Sequence, residues 1–178
     1  MTVYVGLLRG VNVGVRRKIA MADLRAVLAG LGHTRVTTLL QSGNAVFTAP
    51  DSAGGEDAVA AAVEERLRAE LDLDADVIVR TAAHLRRVVD GIPFDVRDPA
   101  KCAVCFLKEP PDPDRLAAID PDAFAPEEMV PGERELYLYF PDGLGRAKLT
   151  PLLARRLGTP ATVRNWNTTT RLLALAEG

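Results

Sequence analysis

VYVGLLRGVNVG, residues 3–14, decides the fold, because it joins an apolar run to a polar loop punctuated by glycine. Residues 3–8 are a short apolar run of the kind that forms a buried strand. Apolar residues then recur at i, i+3, i+4 and i+7 from Leu24 to Leu31, which is the spacing of the buried face of a helix. The sequence therefore predicts a strand, a loop and a helix in succession.

Signals for two more strands, a long helix and a fourth strand follow. Gly43 and Asn44 supply turn chemistry between the two strands, and the alanine-rich helix carries its apolar residues on one face. The predicted elements are strands at residues 36–40, 45–48 and 76–80 and a helix at residues 56–71. This β-α-β-β-α-β order is the ferredoxin-like arrangement.

The second half is predicted to repeat that order after a connecting helix. The elements are a helix at 82–90, a strand at 102–107, a short helix at 113–119, a hairpin of 124–130 and 135–140, a helix within 145–157, a strand at 161–164 and a terminal helix at 165–176. We therefore expect an α+β protein made of two tandem ferredoxin-like units with antiparallel sheets, residues 1–81 and 82–178, plus a C-terminal helix.

The composition is that of an ordinary globular protein, with 178 residues of which 48% are hydrophobic and 26% charged. A net charge of −2 argues against bulk binding of nucleic acid, which requires a basic surface. Two cysteines are too few for a disulfide-stapled secreted scaffold. Neither a signal peptide nor an apolar stretch long enough to span a membrane is evident. We expect a cytoplasmic protein with no membrane partner.

Two polar motifs are expected to meet at one edge of the first sheet. In a β-α-β-β-α-β unit the first two strands run parallel, so the end of strand one lies beside the turn that follows strand two. The strand end carries Arg9 and Asn12, and the turn carries Gln41, Ser42 and Asn44. Such donors beside glycine-flanked backbone N–H groups are typical of an anion site. Alternatively, these side chains only tie the two loops together by hydrogen bonds.

The low net charge is compatible with a local basic patch. Arg16, Arg17 and Lys18 stand just beyond the first loop. They would add positive charge to an anion site or, on the alternative interpretation, form a solvated face.

A third motif, Arg164-Asn165-Trp166-Asn167-Thr168, precedes the terminal helix. An asparagine here can cap the helix, and Trp166 can anchor the helix on the core. A functional interpretation adds Arg164 to a ligand-binding cleft between the two halves of the chain.

Standard catalytic and cofactor motifs do not fit. Asn12 occupies the middle glycine position of a dinucleotide fingerprint, and the first loop is not a Walker loop either. Cys102 and Cys105 lie in an apolar strand, so two core cysteines are favoured over a redox or zinc site. His33 and His84 have no nucleophile or ligand cluster nearby in the sequence. We expect no metal site and no cofactor, and we assign no catalytic residue.

Four stretches resemble the domain of unknown function 1697 family. They are LLRGVNVG at residues 7–14, LQSGNAVF at 40–47, YLYFPDG at 137–143 and RNWNT at 164–168. The resemblance spans nearly the whole chain. It implies a bacterial-type cytoplasmic α+β protein and carries no assigned activity. Family members often have a second glycine after the loop glycine, where this chain has Val15.

From the sequence we predict a binding module for a small anionic or nucleotide-like ligand. The six residues expected to contact that ligand are Arg9, Asn12, Gln41, Ser42, Asn44 and Arg164. An acylphosphatase-like phosphate hydrolase is the alternative, in which an arginine stabilises phosphoryl charge and an amide orients water. That alternative is an analogy at the level of the fold. A purely structural or oligomerising protein is a third interpretation, and the sequence leaves open both enzymatic activity and the oligomeric state.

Overall fold

The computed structural model describes residues 1–15 and 17–178, and it confirms a mixed α+β fold. The strands are β1 Thr2–Leu8, β2 Thr34–Leu39, β3 Asn44–Ala49, β4 Val77–Thr81, β5 Cys102–Leu107, β6 Glu128–Pro131, β7 Glu135–Tyr139 and β8 Ala161–Asn165. The α-helices are α1 Met21–Gly30, α2 Glu56–Leu71, α3 Ala82–Asp90, α4 Pro113–Ala117, α5 Leu149–Arg156 and α6 Trp166–Glu177.

The first sheet has four strands in the order β2-β3-β1-β4, and every neighbouring pair is antiparallel. β1 is a central strand. In its pairing with β3, Leu7 lies opposite Asn44, and in its pairing with β4, Val5 lies opposite Arg80. Tyr4 and Leu8 of the apolar run lie in the core on the face that bears α1 and α2, and Val5 and Leu7 are buried on the opposite face of the sheet.

Helices α1 and α2 supply the other half of the first core. Side chains alternate between the two faces of a strand, so Tyr4 and Phe47 share the face that meets Leu24 of α1 and Leu67 of α2. Leu24 and Leu67 are fully buried. Gly32, at a φ of +84°, ends α1, and the chain then returns to the sheet as β2.

The second sheet repeats this strand pattern in the order β6-β7-β5-β8, again with all neighbours antiparallel. β5 takes the place of β1, and Val104 lies opposite Tyr137 of β7 and Arg164 of β8. The core on one face includes Leu138 of β7 and Leu153 of α5. The two antiparallel four-stranded sheets and the C-terminal helix agree with the sequence prediction.

The two cysteines of β5 are buried free thiols, as predicted for core cysteines. Cys105 shares the core face of the strand with Ala103 and Leu107. Cys102, three residues away, points to the opposite face. Burial raises the pKa of the Cys105 thiol to about 12. Burial, and to a smaller extent the charge of Asp98, raises the pKa of the Cys102 thiol as well.

The chain divides into two compact units, residues 1–87 with 172–178, and residues 88–171. Helices α3 and α6 therefore each contribute residues to both units. Within the first unit, Arg86 Nε of α3 donates to Glu177 Oε2 at 3.0 Å, which joins the last helix to α3. None of the helices in the described part of the chain is long and apolar enough to cross a membrane.

His33 is a buried histidine between α1 and β2. Its ring stacks on Phe47 with 4.8 Å between centroids and an interplanar angle of 18°. Neither ring nitrogen has a hydrogen-bond partner among the described residues. Burial lowers the pKa of His33, since the charged imidazolium would lose its water without gaining a partner.

We expect the free energy of unfolding to fall as the pH is lowered through about 6.5, because the unfolded chain then binds a proton that folded His33 does not. His33→Gln cannot titrate at this position, so the variant's stability should change less between pH 7 and pH 5. Urea unfolding at a series of pH values measures both proteins.

Direct NMR titration provides the control, because the chain has only two histidines. The pKa of His33, followed through its imidazole signal, should lie below the ordinary histidine value of about 6.5. Titration at or above that value, or the same pH slope in His33→Gln as in the wild type, would contradict the expectation.

Candidate functional site

The two predicted loops are in contact at one edge of the first sheet. The backbone N–H of Leu8, at the end of β1, donates to the carbonyl of Gly43 in the β2–β3 turn at 2.8 Å. Gly43 has a φ of +86°, and a Cβ at that position would lie 2.8 Å from Leu8 Cβ and from Val11 Cγ2. A larger residue would push the loops apart, so glycine is required by both the backbone conformation and the close approach.

Asn12 joins the two loops through its side chain. Its Nδ2 donates to the carbonyl of Gln41 at 2.6 Å and to the carbonyl of Ile19 at 2.9 Å. The backbone N–H of Ile19 donates back to Asn12 Oδ1 at 2.9 Å. These bonds use both amide donors and the carbonyl oxygen, and Asn12 adopts a φ of +56°, which asparagine tolerates better than most residues.

Asn44 has a similar role within the β2–β3 turn. It is fully buried, and its Nδ2 donates to the carbonyl of Leu39 at 2.8 Å and to Ser42 Oγ at 2.9 Å. Both amide donors are therefore engaged in closing the turn. For Asn12 and Asn44, the contacts match the interpretation in which amides tie loops together.

Arg9 lies at the same edge and is less constrained. Its Nη1 is 3.2 Å from Asp76 Oδ2, with 43% of the arginine side chain exposed. The backbone N–H of Arg9 also donates to the carbonyl of Asp76 at 2.9 Å. Gln41 and Ser42 are both exposed. No sequence signal points to Asp76 as the partner of Arg9, because the two residues are 67 positions apart and meet only through the pairing of β1 with β4.

This edge of the first unit is basic. Arg9, Arg17 and Lys18 place positive charge on the first loop, and Asp76, the partner of Arg9, is the carboxylate beside it, in a chain whose net charge is −2. Arg17 and Lys18 are exposed. Arg16 lies outside the described residues. An exposed aliphatic rim accompanies these charges, since Val15 is 91% and Leu40 is 51% exposed.

Arg164 lies on β8 of the second unit and is buried. Its Nη1 donates to Thr162 Oγ1 and, at 3.1 Å, to the carbonyl of Val163. Burial lowers the pKa of Arg164 to about 10. Asn165 follows, and its Oδ1 accepts from the backbone N–H of Thr168 at 2.8 Å, so the predicted helix cap is present.

Asn12→Ala should destabilise the protein by about 1–3 kcal/mol, because it removes the hydrogen bonds between the loops and places alanine at a positive φ. The backbone N–H of Ile19 donates to Asn12 Oδ1, so its hydrogen exchange should become faster in the variant. Urea unfolding and exchange measured by NMR check the two effects.

Asn12→Gly is the matched control, because glycine relieves the backbone strain and still removes the side-chain bonds. It should accelerate Ile19 exchange as Asn12→Ala does, with a smaller loss of stability. Unchanged Ile19 exchange in both variants would show that Asn12 does not hold the loops together.

One family model matches residues 1–137, and its description is a protein of unknown function, DUF1697. The match includes both N-terminal loops and ends before Arg164. A comparison with curated proteins finds no match. Among solved structures, a conserved bacterial protein from Streptococcus pneumoniae matches with a TM-score of 0.77 and 21% identity over 98% of each chain. At 21% identity, this similarity shows only that the two proteins share a fold. Since the family model covers most of the chain, this protein belongs to the DUF1697 family.

Proposed function

We propose that this protein is a binding module for a small anionic or nucleotide-like ligand held at the two strand-end loops of the first unit. The observation that carries the proposal is the positive charge of the first loop, where Arg9, Arg17 and Lys18 are at least partly exposed and Asp76 is the carboxylate that pairs with Arg9. Exposed cations clustered on one loop concentrate positive potential there, which attracts anions.

The six residues named from the sequence take different parts in this proposal. Arg9, Gln41 and Ser42 are the groups offered to a ligand, since Arg9 is substantially exposed and the other two lie at the surface. Asn12 and Asn44 hold the loops in register through amides that are already engaged. Preorganised loops lower the entropic cost of ordering contacts on binding.

Arg17 and Lys18 extend the proposed site on the solvent side. Arg164 is left out of the contact set because its guanidinium is buried and donates within β8. Contacts made by exposed cations are screened by solvent, so the expected affinity for a simple anion is modest and depends on salt.

The hydrolase alternative receives less support. It needs an amide that orients a water molecule next to Arg9. Both donors of Asn44 serve the turn, which leaves the exposed Gln41 for that role. Turnover of acetyl phosphate tests the alternative directly. A structural or oligomerising role is tested by light scattering after size exclusion.

We also propose that the chain forms two tandem ferredoxin-like repeats, residues 1–81 and residues 82–178, the latter including the connecting helix α3. Equivalent positions support this. Asn44 and Glu135 each open the third strand of their sheet as buried polar residues, and Arg80 and Arg164 are buried on the fourth strands. In the first sheet, Val5 of the central strand pairs with Arg80 and Leu7 pairs with Asn44. In the second sheet, Val104 pairs with Arg164 and Phe106 pairs with Glu135, so the spacing of two residues is the same. A cytoplasmic location remains part of the proposal.

Arg9→Ala should weaken binding of inorganic phosphate by about three- to tenfold at low ionic strength. This is the loss expected from removing one charged hydrogen bond that is partly screened by solvent. Isothermal titration of wild type and variant with phosphate and with nucleoside monophosphates gives the affinities. Added salt should reduce the wild-type affinity.

Arg68→Ala is the matched control, because Arg68 also forms an exposed ion pair, with Asp74 Oδ1 at 3.1 Å, and lies in α2 outside the two loops. It should bind phosphate as the wild type does. No binding of any anion by the wild type, or an equal loss in Arg9→Ala and Arg68→Ala, would refute the proposal.

A further inference from the structure

A shallow cavity of about 290 Å³ lies on the second unit, and none of the six candidate site residues lines it. Its lining consists of Pro93, Phe94, Asp95, Glu128 and Tyr139, all within residues 88–171. Ligand pockets for drug-sized molecules are generally larger, so a cavity of this size suits a small ligand. We call these five residues the aromatic–acidic pocket.

Two aromatic rings form one side of the pocket. The centroids of Phe94 and Tyr139 are 5.8 Å apart, and the ring planes are tilted by 39°. Both side chains are half-buried, so part of each ring faces the cavity. Two residues earlier on β7, Tyr137 is buried and its hydroxyl donates to the carbonyl of Val88 at 2.7 Å. Tyr139, by contrast, has no hydrogen bond to any described residue through its hydroxyl.

Carboxylates supply the charge of the pocket. Glu128 lies directly opposite Tyr139 in the β6–β7 pairing, which brings their side chains onto the same face at adjacent positions. The carboxylate of Glu128 makes no ion pair or hydrogen bond with the described residues. Asp95 accepts from Arg97 Nε at 2.8 Å, in an ion pair that is largely exposed to solvent. One carboxylate is thus available, and the other is held only by a screened pair.

This combination selects the chemistry of the ligand. Aromatic faces carry a negative quadrupole and attract cations that also have apolar surface. A free carboxylate adds attraction for positive charge and disfavours anions. Hard metal ions require several oxygen ligands, whereas no group of three or more metal-ligating side chains occurs among the described residues. An organic ammonium ion fits the lining better than a metal ion does.

We propose that the aromatic–acidic pocket binds a small organic ammonium cation. The rings of Tyr139 and Phe94 contact the alkyl groups around the nitrogen, and the Glu128 carboxylate provides the counter-charge. This assigns a role to Tyr139 within YLYFPDG, a stretch that the anion site does not use. The proposal is independent of the anion site, because the two sets of residues share no member.

The test compares two probes of the same shape. Choline carries a quaternary nitrogen, and 3,3-dimethylbutan-1-ol replaces that nitrogen by carbon and removes the charge. NMR titration of the full chain should give at least about fivefold tighter binding of choline, in the range expected for a cation over aromatic rings. Shifts should be largest for Phe94, Glu128 and Tyr139.

Variants locate the site. Tyr139→Leu removes one ring, Glu128→Gln removes the counter-charge, and each should weaken choline binding at least about threefold. Tyr139→Phe keeps the ring and should retain more of the choline affinity than Tyr139→Leu does. Asp114→Asn, a charge change on α4 outside the pocket, should have no effect.

Equal affinity for choline and its uncharged analogue would overturn the proposal. Absence of choline binding to the wild type, or shifts confined to residues outside the pocket, would do the same. If Tyr139→Leu does not fold, Glu128→Gln and the wild-type shift map still decide the question, since both concern folded protein.

Discussion

The antiparallel pairing of β1 with β3 on one side and β4 on the other is the interaction on which the first unit depends. It places the end of β1 between Gly43 and Asp76, whose carbonyls accept from the backbone N–H groups of Leu8 and Arg9. A slip of one residue would exchange the two faces of β1, moving Tyr4 out of the core. The same pairing therefore fixes both the packing of the helices and the position of the basic edge.

Much of the fold follows from apolar spacing. The helical period around Leu24 and the buried run at residues 3–8 act locally, so a single sequence shows them, and the element order then places two loops at one edge. The sequence could not show how the polar groups at that edge are used. Asn12 reaches the carbonyl of Gln41, 29 positions away, only after β1, β2 and β3 are assembled. Whether an amide binds a ligand or fastens a loop is decided by that assembly.

The aromatic–acidic pocket illustrates the same limit more strongly. Its rings come from Phe94 in a loop after α3 and from Tyr139 on β7, and its free carboxylate comes from Glu128 on β6. Only the β6–β7 pairing gives Glu128 and Tyr139 a common face. In the sequence, Tyr139 is one aromatic residue of an apolar strand, so its exposure and the neighbouring charge become visible only in three dimensions.

The two buried thiols of β5 can report on opening of the second sheet. Only a deprotonated sulfur reacts with alkylating reagents, and burial keeps Cys102 and Cys105 protonated and out of their reach. Any event that opens β5 exposes both sulfurs together on a strand that pairs with β7 and β8. The rate of alkylation therefore measures how often this sheet opens, in the natural sequence and without an engineered cysteine.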